Sequence, residues 1–247
     1  MRHTPREPSL AAALLDLAAA PAPGSNPAQI MGRLTEHSLQ LPGIQAGGVL
    51  LADTQGRFHD LVASDEAADR LEHLQIHYEE GPCRDTVRTG QPLTDLPLPH
   101  PNCRYRWPHF TPHALAAGFT AVTALPVRRN EHIFGALNLF HRYHSIGQDG
   151  LWACQMLAEA AALGLAHQRD LTQLHEHNTH LETALTSRIV IEQAKGILAE
   201  RLRLDPDAAF DRMRRHARAH QQKLNALAAQ IIYQPAKDSP FPRPHHG

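Results

Sequence analysis

The apolar and polar positions divide the chain into two parts with different periodicity. In the N-terminal part, glycine and proline interrupt short apolar runs, which predicts short strands and helices. From Val127 to Asp205 there is no proline, and from about Gln148 onward the apolar residues recur at helical spacing. The pattern therefore predicts an α+β domain that is followed by a long helix and further helices.

The N-terminal part predicts four helices and four strands. We expect the helices at about 10–20, 27–40, 69–78 and 82–90, and the strands at 47–53, 58–63, 120–127 and 133–140. The strands form two hairpins, because a polar turn separates the members of each pair. Pro126 has no amide proton, which places it at a sheet edge or at a bulge. Residues 91–112 predict a loop.

The long helix is predicted to run from about Gln148 to Arg201, roughly 80 Å at 1.5 Å per residue. Its middle carries the alternating spacing of three and four residues that defines a coiled-coil seam, formed by Leu171, Leu174, Asn178, Leu181 and Leu185. A single rod cannot bury its own seam, so we expect two copies of the chain to pair. The lone amide of Asn178 would fix a parallel register. In the alternative arrangement, the seam packs on the domain of its own chain.

Two further helices complete a C-terminal module. The second helix is expected to start at Asp205, whose carboxylate can accept the free amides, with Pro206 at the first helical position. A polar break at 220–223 precedes the third helix, which is expected from Leu224. The tail from Gln234 contains four prolines, which favours disorder.

These elements predict five segments along the chain. They are an N-terminal extension with a short helix at 1–26, an α+β domain at 27–165, a coiled-coil linker at 166–185, a three-helix module at 186–233 and a disordered tail at 234–247.

The net charge of −1 conceals an uneven distribution of charged side chains. Residues 1–185 hold 13 basic and 19 acidic side chains, whereas residues 186–233 hold 9 basic and 5 acidic ones. The C-terminal module therefore attracts polyanions more strongly than the rest of the chain does.

Several classes of function find no support in the sequence. Cys83, Cys103 and Cys154 form no closely spaced pair, which disfavours a disulfide framework and fits a reducing, cytoplasmic location. No apolar run approaches the roughly 20 residues of a membrane span. No Ser-His-Asp arrangement, phosphate-binding loop or metal-ligand pattern stands out, so we expect neither an enzyme nor a resident metal or cofactor.

The first helix of the C-terminal module presents two cations with a common direction. Arg188 and Lys195 are seven residues apart and so lie on one face of the helix. Ala194 and Gly196 keep the surface small beside Lys195, which would let a nucleotide approach closely. The second helix adds four arginines: Arg212, Arg214, Arg215 and Arg218. These cations could follow phosphates or stack beneath bases, although charge alone fits an ordinary solvated surface equally well.

A resemblance decides between these two interpretations. The run Ala184-Leu-Thr-Ser-Arg-Ile-Val-Ile-Glu-Gln-Ala-Lys-Gly-Ile-Leu-Ala-Glu-Arg201, with Asp207-Ala-Ala-Phe-Asp-Arg-Met-Arg214, resembles an ANTAR domain over residues 182–233. The resemblance implies an RNA-binding antiterminator that holds paired stem-loops of a nascent transcript as a homodimer. By position, it implies loop contacts from Ser187, Arg188, Ala194, Lys195, Gly196, Arg214 and Arg218. Asn225 stands where the family usually has a cap for the third helix and can still serve as one.

The N-terminal domain contains Glu80-Gly-Pro-Cys83, Arg106-Trp-Pro-His-Phe110, Ala117-Gly-Phe119, Ala124-Leu-Pro126 and Gly135-Ala-Leu-Asn-Leu-Phe140. Through these residues, the segment 27–165 resembles the GAF domain that precedes ANTAR domains in actinobacterial regulators. The resemblance implies an antiparallel sheet between helices and a small-molecule ligand that the sequence does not identify. Cys83, Trp107 and Phe110 are the candidate sensor residues. Cys83 follows Pro82 at a predicted helix start, which can lower the pKa of a thiol, whereas the alternative role is a small buried apolar residue.

The sequence thus predicts a signal-responsive, RNA-binding transcription antitermination regulator. Two other functions stay open at this stage. The basic three-helix module could bind duplex DNA, and Cys83 with Cys103 could serve a thiol-based GAF enzyme such as a methionine sulfoxide reductase. The second alternative lacks the closely spaced cysteine pair that we would expect of it.

Overall fold

A computed structural model describes residues 9–19, 26–142, 146–234 and 240–241. It divides the chain into two compact units, Met1–Leu171 and Thr172–Gly247, which are described separately below. The end of the first predicted helix and most of the predicted disordered tail lie outside the described residues.

The first unit is built on a five-stranded antiparallel sheet. Its strands are β1 (Ala46–Ala52), β2 (Phe58–Ala63), β3 (Leu93–Pro97), β4 (Ala121–Arg129) and β5 (His132–His141). Their order across the sheet is β2-β1-β5-β4-β3. The centre of the sheet is almost wholly buried, because β1, β4 and β5 have helices on both faces and carry long apolar runs.

Helices cover both faces of this sheet. One face packs on α1 (Leu10–Ala18), α2 (Pro27–Leu39) and the first part of α7 (Gly147–Leu202), in a core that includes Val49, Leu137 and Leu157. The other face lies against α3 (Glu66–Tyr78), α4 (Pro82–Thr89), α5 (Pro101–Arg106) and α6 (Phe110–Ala116), with Phe140 and Trp107 in the core.

The region that the sequence predicts as a loop contains three elements. Strand β3 and helices α5 and α6 all lie at least partly within residues 91–112. The strand is short, has Asp95 at a φ of 46° and pairs with β4 through an irregular register, so it has little of the alternation that identifies a strand. Helix α5 begins at Pro101, and His100 caps it by accepting a bond from the amide of Asn102.

Pro126 lies in a strand that is interior to the sheet, and not in an edge strand. It pairs with Ala136 of β5, while the pairing of β3 with β4 reaches no further than Ala124. The proline is therefore tolerated because its strand has no partner on one side at that residue, and a bulge follows between Val127 and Arg128.

The second unit contains the end of α7 together with α8 (Pro206–Ala219) and α9 (Leu224–Tyr233). Asp205 caps α8 as predicted, and its Oδ1 accepts bonds from the amides of Asp207 at 2.8 Å and Ala208 at 3.4 Å. The predicted cap of α9 is wrong, since Lys223 occupies the cap position and no side chain bonds there. Asn225 lies inside the helix, where its side chain is exposed.

The core of the second unit is small and mainly aliphatic. Its buried members are Ala194, Leu198, Ala209, Met213, Ala217, Leu227, Ala228, Ile231 and Phe241. Phe241 is only 5% exposed and its ring lies 4.9 Å from that of His216, so the prediction of disorder is wrong at this residue of the tail. The α+β fold, the long helix and the three-helix C-terminal module are confirmed.

The described residues contain no helix that is long and apolar enough to span a membrane.

Candidate nucleic-acid interface and sensor interior

The end of α7 presents the two predicted cations on one face. Seven residues correspond to nearly two turns, so the side chains of Arg188 and Lys195 leave the helix within about 20° of each other. Arg188 is exposed, whereas the side chain of Lys195 is 21% exposed and its Nζ lies 2.5 Å from a carboxylate oxygen of Glu192. Lys195 must leave this surface ion pair to contact a phosphate, at a cost of about 1 kcal/mol or less.

The small residues near Lys195 differ in their exposure to solvent. Ala194 is fully buried in the core of the second unit, so the predicted role of its side chain in contacting RNA is wrong. Gly196 is exposed and has open space around its Cα, because a Cβ there would meet nothing within 4 Å. Ser187 is half-buried, next to Arg188 in the chain but turned toward α9.

Helix α8 presents a second row of cations. Arg214 and Arg218 are one turn apart and exposed, and Arg212 and Arg215 are exposed beside them. The guanidinium carbon of Arg214 lies 5.7 Å from the centre of the Phe210 ring, so the ring supports one side of this cation. The other side is left for a phosphate or a base.

Sequence reasoning did not predict a groove between α7 and α9 in this unit. Its volume is about 490 Å³, and it is lined by Glu182, Thr183, Thr186, Ser187, Val190, Asn225 and Ala229. Its position depends on where α9 packs, which periodicity along the chain does not give. None of these described lining residues is a lysine or an arginine.

The predicted seam of α7 is an exposed stripe in the chain. Leu174 is 61% exposed and Leu181 is 68% exposed, and the other large apolar members are exposed as well: Leu171, Leu185 and Ile189. Asn178 is exposed between them. Ile189 continues the stripe by one turn beyond Leu185. The apolar surface therefore reaches the part of α7 that carries Arg188.

The interior of the first unit contains a buried polar cluster on the sheet face that packs on α3. The carboxylate of Glu72 accepts bonds from Asn138 Nδ2 at 2.8 Å and from Gln75 Nε2 at 2.6 Å. Burial raises the pKa of Glu72 to about 8, with a smaller contribution from the charge of Asp69. Gly48 and Gly81 leave room for this cluster, since a Cβ would lie 2.8 Å from Glu72 at Gly48 and 2.4 Å from Gln75 at Gly81.

Cys83 belongs to this buried surrounding and not to a reactive surface. Its side chain is 0% exposed, its amide donates to Gln75 Oε1 at 2.8 Å, and its Sγ donates to the carbonyl of Ala136 at 3.6 Å. The helix start was expected to lower the pKa of this thiol, but burial raises it well above the usual value and nearby Glu72 adds to the effect. The geometry does not support the predicted sensor role of the thiol, because a buried neutral thiol is a poor nucleophile.

Trp107 and Phe110 are core residues as well. Both are fully buried, with ring centres 5.9 Å apart in an edge-to-face arrangement. Trp107 Nε1 donates to Asp85 Oδ2 at 2.9 Å, and Arg106 Nε donates to the same oxygen at 2.6 Å. Neither ring presents a free face for a ligand.

An open groove of about 770 Å³ lies between α3 and α6. Leu71 and Leu74 contribute apolar surface, and three histidines, His73, His77 and His113, contribute polar surface. Within the described part of the chain, no group of three or more histidine, cysteine or acidic side chains could hold a metal ion.

Comparison with protein families identifies both units. A model of the GAF domain family matches residues 24–166, which is more than half of the chain, and a model of the ANTAR domain family matches residues 179–232. The chain belongs to the GAF domain family and carries an ANTAR domain. Since GAF domains are sensor domains and ANTAR domains bind RNA in antitermination regulators, the chain is a regulator that joins a sensor domain to an RNA-binding domain.

Solved structures similar to the chain cover the GAF domain. The GAF domain of a phosphoenolpyruvate-protein phosphotransferase from Coxiella burnetii is 17% identical, with a TM-score of 0.47 over 66% of this chain and 94% of that one. The corresponding domain from Acinetobacter is 7% identical, with a TM-score of 0.47 over 65% and 92%. Free methionine-R-sulfoxide reductase from Neisseria meningitidis is 10% identical, with a TM-score of 0.45 over 66% and 89%. No curated protein matches the chain.

In the ANTAR domain, the surface residues predicted from the sequence fall into three positions. Arg188 and Lys195 share a face of α7, and Arg214 and Arg218 share a face of α8. Ser187 borders the groove between α7 and α9. These positions, with exposed Gly196 beside Lys195, form the candidate RNA-binding surface, from which buried Ala194 is removed.

Proposed function

We propose that the chain is a homodimeric transcription antitermination regulator that catalyses no reaction. Its two ANTAR domains bind paired stem-loops in a nascent transcript, and a signal received by the GAF domain controls this binding. The observation that carries the proposal is the common direction of Arg188 and Lys195 on the outer surface of an ANTAR domain. Cations held in one direction by one helix can both contact phosphates of an RNA backbone.

The exposed stripe of α7 supports the dimer. Four leucines, an isoleucine and Asn178 occupy one side of the helix, where they contact water in the single chain. Pairing with a second copy would remove this apolar surface from water, and each large side chain would contribute roughly 1–2 kcal/mol. Asn178 would select a parallel arrangement, which places the two ANTAR domains at the same end of the pair.

Helix α7 supports the coupling between signal and binding. It is continuous over 56 residues, with Leu157 in the core of the GAF domain and Leu198 in the core of the ANTAR domain. A change in the packing around Leu157 would therefore act on the pairing of the stripe that lies between these two residues. The signal would set how firmly two ANTAR domains are joined, and the joined pair gains affinity through effective concentration.

The substitution Lys195→Ala tests the proposed surface. The probe is a tandem stem-loop RNA, selected once on the wild-type protein from a pool of synthetic RNAs with two stems and randomised loops. Loss of this cation is expected to weaken binding about tenfold and to reduce the slope of log affinity against log salt by about one for each ANTAR domain bound.

The matched control is Arg129→Ala, which removes an exposed cation from the GAF domain. It is expected to change the affinity less than twofold. Equal affinities of the wild type and Lys195→Ala would contradict the proposed surface. Duplex DNA of the same charge serves as competitor at matched salt, and competition equal to that of the RNA would favour the DNA-binding alternative.

A further inference from the structure

The groove between α7 and α9 of the ANTAR domain has the chemistry of a binding site for an uncharged polar group. Ser187, Thr186 and Asn225 supply hydroxyl and amide groups that can both donate and accept. The hydroxyl of Thr183 donates to the carbonyl of Thr179 at 2.7 Å, which leaves its oxygen as an acceptor. Val190 and Ala229 supply apolar surface.

The lining excludes a phosphate as the occupant. Among the described residues the lining contains no lysine or arginine, and the charged side chain found there is the carboxylate of Glu182, which would repel an anion. Phosphates would instead contact Arg188, which directly follows Ser187 and leaves the helix about 100° further around its axis. Arg188 therefore lies outside the groove and about 160° around α7 from Thr186 and Val190, so an RNA strand on Arg188 has to cross the Ser187 side of the helix to reach the groove.

The groove and the proposed dimer stripe can be occupied together. Ser187 points away from Leu185 by about 160° around the axis of α7. Glu182 lies about 60° from Leu185 and so borders the stripe, whereas the Ser187 and Val190 side of the groove stays open when a second copy pairs along the stripe. Its volume of about 490 Å³ falls within the roughly 300–1,000 Å³ of small-ligand sites.

We propose that this groove receives one unpaired nucleobase of the RNA loop, and that the base carries an exocyclic amino group. The base stacks on Val190 and Ala229, and its amino group donates to the carboxylate of Glu182, as amino groups of bases do to acidic side chains elsewhere. Ser187 and Asn225 bond to the remaining polar edge. Adenine, cytosine and guanine fit this description, whereas uracil has no amino group. The inference rests on the proposed function and deepens it, because it assigns base recognition to a surface distinct from the cations.

The test fills the groove and measures binding to the tandem stem-loop RNA. Ala229→Phe places a ring in the groove and is expected to weaken binding at least tenfold, the loss typical of one stacked base. Ala226→Phe is the matched control, because Ala226 is exposed on the same helix and does not line the groove. It is expected to change binding less than twofold.

A second experiment identifies the bound base, and it uses variants that introduce no large side chain into the fold. Each loop nucleotide is replaced in turn by an abasic one, and affinity is measured for the wild type and for Ser187→Ala with Asn225→Ala. At one position, the abasic change is expected to weaken binding by the wild type about tenfold and binding by the double variant less than threefold. Replacing the same base by uracil should cost the wild type more than it costs Glu182→Gln, since a glutamine can also donate.

The outcomes separate this inference from the proposed function. Suppose that Ala229→Phe and the Ser187/Asn225 double variant both bind RNA with wild-type affinity, while Lys195→Ala binds more weakly. This result would contradict base binding in the groove and would leave the proposed cationic surface supported. Additive losses at every loop position also overturn base binding in the groove, because no base then depends on the groove. If Lys195→Ala binds as the wild type does, both proposals fail together.

Discussion

Among single residues, the ion pair of Lys195 with Glu192 should limit how readily the proposed RNA-binding cation contacts a phosphate. The carboxylate lies 2.5 Å from Nζ and would compete with a phosphate for the same donor. Glu192→Gln removes this competition, and it also removes a negative charge that would repel the phosphate. We expect RNA to bind about threefold more tightly at low salt, with the difference disappearing at high salt because exposed charges are screened. Titration of the tandem stem-loop RNA at several salt concentrations checks this, with Glu176→Gln, an exposed acid elsewhere on α7, as the control.

The buried carboxyl of Glu72 makes the stability of the GAF domain depend on pH. Its pKa is raised from the usual 4.5 to about 8 in the fold, so the folded state binds the proton more strongly than the unfolded state does. This contribution is complete below about pH 4.5 and is lost as pH rises toward 8. Glu72→Gln has no such titration. We expect the variant to gain stability relative to the wild type by about 1.4 kcal/mol per pH unit within this window, to a total of a few kcal/mol.

Denaturant unfolding of both proteins from pH 5 to pH 8.5 measures that difference. Other groups titrate in both proteins and cancel in the comparison. A constant difference between the two proteins across this range would show that Glu72 is ionised in the fold and that the account of its burial is wrong.

Single residues also show where sequence reasoning was insufficient. Pro82 correctly marked a helix start, yet the local pattern could not reveal that Cys83 faces the carbonyl of Ala136, which lies 53 positions further along the chain. The burial that raises the pKa of this thiol is a property of the packed sheet. The same holds for Ala194, whose position beside Lys195 in the sequence suggested the surface, although α8 and α9 cover it.

At the scale of elements, the stripe on α7 predicts how the chain associates. Leu174→Asp with Leu181→Asp places two carboxylates on the stripe and is expected to prevent the proposed dimer from forming, because the pair would bury charges without partners. The matched control is Gln173→Asp with His180→Asp, which has the same spacing and points about 100° away from the two leucines around the helix axis, outside the stripe. Sedimentation equilibrium measures the mass of each protein. A mass unchanged by the leucine substitutions would contradict the stripe as the interface.

Phe241 connects the C-terminal segment to the helices of the ANTAR domain. It is buried in the same core as Met213 and Ile231, so Phe241→Ala should leave a cavity and lower the stability of this unit by about 2–4 kcal/mol. Tyr233→Ala is the control, because that ring is 77% exposed and its loss should cost less than about 0.5 kcal/mol. Thermal unfolding followed by circular dichroism provides the comparison. Equal melting temperatures of the two variants would show that Phe241 does not contribute to the core.

The elements that the sequence predicted are those with a strong internal period or a clear boundary residue. Helix α2 starts at Pro27 and α8 follows the Asp205 cap, while the alternation around β4 and β5 identified both strands. Strand β3 has no such signal, because it is held by β4 and by the bond from the amide of Asp95 to the hydroxyl of Thr123 at 3.0 Å. Elements that depend on a distant partner were missed, and so was the groove beside α9, for the same reason.

In the whole molecule, we propose that two ANTAR domains bind one RNA together. The cations of one ANTAR domain are expected to attract RNA modestly and in a salt-dependent way. Pairing along the exposed stripe of α7 would bring a second set of the same cations to the same RNA. A second stem-loop held in the same RNA binds with an effective concentration set by the linker between the loops. The proposed control by the sensor domain would follow, because weakening the pair affects both contacts at once.

The decisive measurement is the ratio of the affinities for one-loop and two-loop RNA. Dissociation constants are measured at matched salt for the tandem stem-loop RNA and for the same RNA with one loop replaced by a base-paired stem. We expect the wild type to prefer two loops by about 100-fold, and the Leu174/Leu181 double variant to lose nearly all of that preference while it still binds one loop. A wild-type preference of about twofold, equal to that of the double variant, would contradict the account.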